Sequence, residues 1–146
     1  MPSADRPLRA RRRARSLSPV SDTELPPTDP DGRAPRLRLR VNFGDWLILG
    51  PGKTELLALI AETGSITASA ARMGMSYRRA WMLVETMNQA FAAPVVVGTA
   101  TGSRLTATGE AVLHHYRAFE IAAMAAGGDH LEEVAKLLGE GPARDA

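Results

Sequence analysis

The stretch between Gly64 and Phe91, "GSITASAARMGMSYRRAWMLVETMNQAF", restricts this chain more than any other. It holds two helical patterns with one glycine turn between them. Ser65 reads as the N-cap of a short helix carrying Ile66, Ala70 and Met73 on one side, and Gly74 closes it. Ser76 reads as the cap of a longer helix in which Ala80, Val84, Met87 and Phe91 recur at i, i+4, i+7 and i+11. Pro94 stops that helix. Ala70 and Ala71 are small enough for close approach to the next helix, Gly74 permits a sharp turn, and Met75 fills the angle. The start of the longer helix then projects outward with Ser76, Tyr77, Arg78 and Arg79. Two helices in this relation form a helix-turn-helix. The plainer alternative is a set of helices that only pack together, since Ala-rich helix pairs with a glycine turn are common.

The flanks complete the pattern. From Leu37, "LRLRVNF" alternates apolar and basic residues and predicts a half-buried strand, with "WLILG" as a second short one. Leu56, Leu57, Leu59 and Ile60 form a helical stripe that ends at Thr63-Gly64. After Pro94, "VVVGT" is a short β run, "ATGS" a turn and "RLT" a returning strand. A long helix is expected from about Thr106, with Val112, Leu113, Tyr116, Phe119 and Met124. Gly127-Gly128 is expected to break it, leaving a last amphipathic turn or two with Leu131, Val134 and Leu138. Helix, helix, helix, hairpin is the order of a winged helix. The predicted fold is therefore mainly α with a small β wing: a winged helix-turn-helix with a long C-terminal helix. Trp81 flanks Val84 on the wheel, and half-buried core is preferred over a base contact.

Charge divides the chain. Residues 1–40 hold ten Arg against five acids, whereas 41–146 hold eight Lys or Arg against eleven acids. The basic pI belongs to the tail and says little about the folded part. Residues 1–35, rich in Arg, Pro, Ser and Asp, are expected to be a disordered tail, because they offer too little apolar area to offset ordering entropy. The run "RARRRARS" (9–16) can hold phosphates non-specifically, or be a solvated tail only. Residues 36–126 are the expected winged helix-turn-helix domain with its long helix, and 127–146 a short amphipathic helix and flexible end. The absence of cysteine excludes disulfides and thiolate metal sites. Adjacent His114 and His115 point apart on a helix and do not converge on a metal. No apolar run approaches the roughly 18 residues of a membrane span, so a cytoplasmic protein without membrane contact, metal or cofactor is expected.

One motif suggests an enzyme. "ILGPGKTELLALI" (48–60) runs from a strand through Gly50-Pro51-Gly52-Lys53-Thr54 into a helix, as a phosphate-binding loop does. That loop needs a glycine five residues before Gly52, where Leu47 stands, and a larger α/β sheet. Pro51 is better read as a helix-start residue near N1, and no enzyme is expected.

The 64–91 stretch resembles the N-terminal DNA-binding domain of the molybdate-responsive regulators, the ModE type. Ser76-Tyr77-Arg78, Ala80-Trp81 and Met87-Asn88-Gln89 carry the resemblance, with "ATG" at 100–102 and "RLTATGEAVLHHY" after it. It covers roughly residues 37–125. The helix-turn-helix and "RLTATGEAVL" are also similar to LysR-type regulators, which usually have Gln after the helix-three Ser, where Tyr77 stands here. Two departures matter. The wing tip is short, with only Ser103 between Gly102 and Arg104, so its contact with DNA is in doubt. About twenty residues follow the long helix, too few for the family's C-terminal oxyanion-binding domains, so direct molybdate sensing is not expected.

The expected partner is double-stranded DNA, bound by a homodimer, with a protein partner carrying the effector signal. The dimer implied by the resemblance uses the 37–49 strands and the long helix, whose apolar stripe equally well closes the monomer's own core. Ser76 and Tyr77 sit at the reading end, and Arg78 and Arg79 are the main candidates for base or phosphate contacts. Thr67, Ser69 and Lys53 are candidates for backbone phosphates. Met82, one turn on from Arg78, and the wing residues Ser103 and Arg104 complete the candidate set. The rivals are a winged helix turned protein-interaction module, and a LysR-like DNA-binding fragment.

Overall fold

The computed structural model describes residues 34–139. A hairpin of β1 (Val41–Phe43) and β2 (Leu47–Leu49) leads into α1 (Pro51–Thr63). The helix-turn-helix follows as α2 (Ile66–Arg72) and α3 (Tyr77–Ala90), then the wing, β3 (Val96–Gly98) and β4 (Ser103–Leu105), then α4 (Ala107–Lys136). Both hairpins are antiparallel, with Val41 opposite Leu49 in the first and Val96 opposite Leu105 in the second. This is the winged helix expected from the sequence.

The core forms where the apolar stripes converge. Leu56, Leu57 and Ile60 of α1, Ala80, Val84 and Met87 of α3, and Val95 and Val96 beside the wing are buried together. Ser65 and Ser76 cap their helices as expected, accepting from the amides of Ala68 at 3.0 Å and Arg79 at 3.1 Å. Gly74 has φ 65°, a conformation that side chains disfavour, and it makes the turn between α2 and α3. Met75 beyond it packs against the core. Ala70 is buried, but its neighbour Ala71 is exposed, so only the former brings α2 close.

Two expectations need correction. The strand predicted from Leu37 is regular only from Val41. Its alternation is nevertheless kept, since Leu37 and Leu39 are half-buried while Arg36, Arg38 and Arg40 are exposed. The segment is held by the Tyr116 hydroxyl, which donates to the Leu39 carbonyl at 2.6 Å, rather than by a β ladder. Second, Gly127-Gly128 does not break α4, which runs unbroken for 30 residues. Two glycines cost a helix about 1 kcal/mol each, less than the cooperative cost of stopping and renucleating it. The apolar stripe of α4, for which both a core and an outer role were open, divides: Leu113 and Tyr116 are buried and Phe119 is exposed, as are Ile121 and Val134 elsewhere on the helix.

Candidate nucleic-acid interface

The surface is built on α3. Its 14 residues span about 21 Å, and its two ends have different tasks. At the C-terminal end, the Asn88 side chain bridges to the strand that follows. Its carboxamide oxygen accepts from the amides of Val95 at 2.8 Å and Val96 at 3.2 Å, and its nitrogen donates to the Val96 carbonyl at 3.1 Å. The Trp46 indole N–H donates to the Ala90 carbonyl at 3.0 Å, satisfying one of the last-turn carbonyls. The helix is thus fixed to both hairpins at one end.

The other end is left open. Ser76, Tyr77, Arg78, Arg79, Trp81 and Met82 are all exposed. Helical spacing sets Arg78 and Met82, one turn apart, opposite the buried line of Ala80, Val84 and Met87. Arg79 flanks them on one side, Tyr77 and Trp81 on the other. Trp81, read from the wheel as half-buried, is 47% exposed, and the smaller Ala80 occupies the fully buried position beside it. A shallow open groove runs along Ser76, Arg78, Arg79, Met82, Leu83 and Thr86. Neither Arg78 nor Arg79 joins the ion pairs found among the described residues, Arg72 with Glu62 at 2.6 Å and Lys136 with Glu133 at 2.6 Å. Two free guanidinium forks beside exposed helix-start amides are suited to phosphate oxygens and guanine edges.

The remaining candidates separate. Thr67 is exposed on the first turn of α2, and Arg104 is exposed on the wing. Ser69 is fully buried. Its hydroxyl donates to the Ser65 carbonyl at 2.7 Å and lies 3.0 Å from the Thr63 hydroxyl. It braces the α1–α2 corner, which corrects the expectation that it faces phosphate. Lys53 is also withdrawn from the interface. Its ammonium donates to the Ile48 carbonyl at 2.8 Å, and burial, helped by the Arg40 charge, lowers its pKa. The β1–β2 hairpin that receives it is pinned to the far end of α3 by Trp46. The motif around Lys53 therefore acts as a helix start: Gly50 is the N-cap and Pro51 the first helical residue.

Ser103 has a second role that sequence reasoning missed. Its amide donates to the Gly64 carbonyl at 2.9 Å, tying the wing to the α1–α2 corner. A Cβ on the adjacent Gly102 would lie 2.1 Å from that same carbonyl oxygen, so this close approach requires glycine. The shortness of the wing has a structural counterpart here, because its return is docked on the corner before it can extend. Asn88 and Trp46 also escaped a functional reading. An Asn just before a helix stop and a Trp in a hairpin are signals only once their backbone partners are known.

A helix-turn-helix with an open, basic helix start and an adjoining wing is a DNA-binding domain. Residues 53–110 match the family model for the bacterial regulatory helix-turn-helix protein, lysR family. The chain is similar to the molybdenum-pterin-binding protein MopB of Rhodobacter capsulatus, at 42% identity over 77 residues, which cover 49% of this chain and 28% of that one. It is similar also to the molybdenum transport protein ModE of Azotobacter vinelandii, at 36% identity over 50% of this chain and 29% of that protein. A further relative is the molybdenum-pterin-binding protein MopA of Rhodobacter capsulatus, at 37% identity over 44% of this chain and 26% of that protein. The winged helix-turn-helix is thus ModE-like with a LysR-type helix-turn-helix, and the matched region spans less than a third of the curated relatives' length. Among the described residues no helix is long and apolar enough to cross a membrane.

Proposed function

We propose that this chain is a sequence-specific transcriptional regulator that binds double-stranded DNA as a homodimer, with one α3 helix in each of two successive major grooves. The observation that carries this reading is the exposed start of α3, where Arg78 and Arg79 stand free of acidic partners beside Ser76, Tyr77 and Met82. Arg78 faces the base edges, Arg79 reaches a base or phosphate at the side, and Thr67 and Arg104 contact the flanking backbone. Ser103 contributes by setting the wing. Two half-sites would lie about 34 Å apart, one helical turn. The second copy is argued from apolar surface: Phe43, Trp46 and Ile48 on the first hairpin, and Phe119, Ile121 and Val134 on α4, are exposed.

In this reading the described residues are the DNA reader, and the effector signal reaches them through another protein or domain. The names of the relatives support a role at genes that serve molybdenum. Selection of duplexes from a random library by the full chain, followed by footprinting of the sites occupied in cells, tests both levels. Enriched palindromic half-sites are expected from the first, and sites near molybdenum transport genes from the second. A library that yields no enriched sequence, together with capture of a protein through the α3 face, would replace this reading with the protein-interaction module.

A further inference from the structure

Arg78 accounts for only part of the outward face of α3. The position next to it on that face is an apolar side chain, Met82, which is 53% exposed and directed away from the core. Tyr77 and Trp81, 54% and 47% exposed, widen the apolar area along one flank. Core packing explains none of this, because Ala80, Val84 and Met87 already fill the buried line. Nor does helix formation require it: any straight-chain polar residue has similar propensity and leaves no apolar surface in water. On a face that meets the major groove, an unbranched thioether has one chemically matched partner. The C5-methyl of thymine is the apolar group presented there by unmodified bases. Methionine is flexible enough to lie against it.

We propose that Met82 is a specificity-determining residue that reads the C5-methyl of a thymine close to a guanine read by Arg78. This inference rests on the DNA-binding reading above. Side chains at i and i+4 stand about 5–6 Å apart on a helix, and base pairs rise 3.4 Å along each strand. The thymine therefore lies one or two base pairs from the guanine. The side of Met82 toward Thr86 offers no competing polar contact, because the Thr86 hydroxyl is turned inward along the helix and donates to the Met82 carbonyl at 2.8 Å.

The test uses the full chain and the duplexes it enriches from a random library. Each dT of the enriched half-site is replaced in turn by dU, which lacks only the methyl group. The wild type is expected to lose about fourfold in affinity at one such position per half-site, the fold-change that matches about 0.8 kcal/mol for a methyl-sized group. Met82→Ala, a substitution at an exposed position that keeps helix propensity, is expected to bind dT and dU duplexes equally. The inference is overturned if no dU replacement weakens the wild type, if Met82→Ala retains the full dU penalty, or if the half-site has no thymine within two base pairs of a guanine. Failure to enrich any duplex is a different result: it removes the DNA-binding reading itself, and this inference with it.

Discussion

The two ends of α3 are held by opposite means. The C-terminal end is enclosed: Met87 is fully buried, Asn88 bonds three backbone groups of the following strand, and Trp46 reaches the Ala90 carbonyl. The N-terminal end has one local cap, the Ser76 hydroxyl on the Arg79 amide, and otherwise faces solvent. One helix thus divides into an anchored end and an open end, which the proposed function makes the reader. Preorganisation explains the division. A reading helix that rocked on binding would lose part of its affinity to ordering, so rigidity at one end supports contact at the other.

This comparison is broken most severely at the anchor. Met87→Ala is expected to lower stability by about 2–5 kcal/mol, through lost transfer free energy and a cavity, measured by urea denaturation of the full chain. An effect below that range would mean that the surroundings collapse onto the site. Asn88→Ala leaves the buried amide of Val95 without its carboxamide partner and should cost about 1–3 kcal/mol in the same experiment. A wild-type midpoint for that variant would show that water replaces the side chain.

The reader end should answer in the reverse manner. Arg78→Ala is expected to leave the denaturation midpoint within about 0.5 kcal/mol of wild type, as for exposed substitutions generally. It should weaken specific DNA binding by about 1–3 kcal/mol in a fluorescence-anisotropy titration. Equal losses on specific and random duplexes would reassign Arg78 to phosphate. The smallest effect is expected at the boundary. Ser76→Ala removes the cap and should cost about 1 kcal/mol of stability, with a parallel loss of affinity as the first turn frays. Loss of stability without loss of affinity would separate the cap from reading.

Much of this architecture was legible in the residues. The serine caps, Gly74 and the Ala80–Val84–Met87 spacing specify α2, the turn and α3, because caps and periodicity are local and repeat every turn. The exposure of the candidate residues on α3 was legible in the same measure. It was misread at Ser69 and Lys53, whose polar side chains are consumed by nearby carbonyls. A sequence displays a hydroxyl or an ammonium but not the acceptor that folding brings to it. Trp81 lies at the limit of such reading: a wheel places it beside the buried line, whereas the elements packed on that helix decide that about half of it stays exposed. Gly127-Gly128 shows the limit of propensity, which assigns a cost to each residue but not the cooperativity that carries α4 past both.

The local pattern alone therefore determined the helix-turn-helix, its order with the wing, and the basic start of α3. These depend on contacts between residues a few positions apart. Only the tertiary structure decided that α3 is anchored from its far end and that the wing is docked on Gly64. Each of those depends on backbone groups brought together from distant parts of the chain, as Trp46 is to Ala90 and Ser103 to Gly64. No short-range periodicity encodes such a meeting.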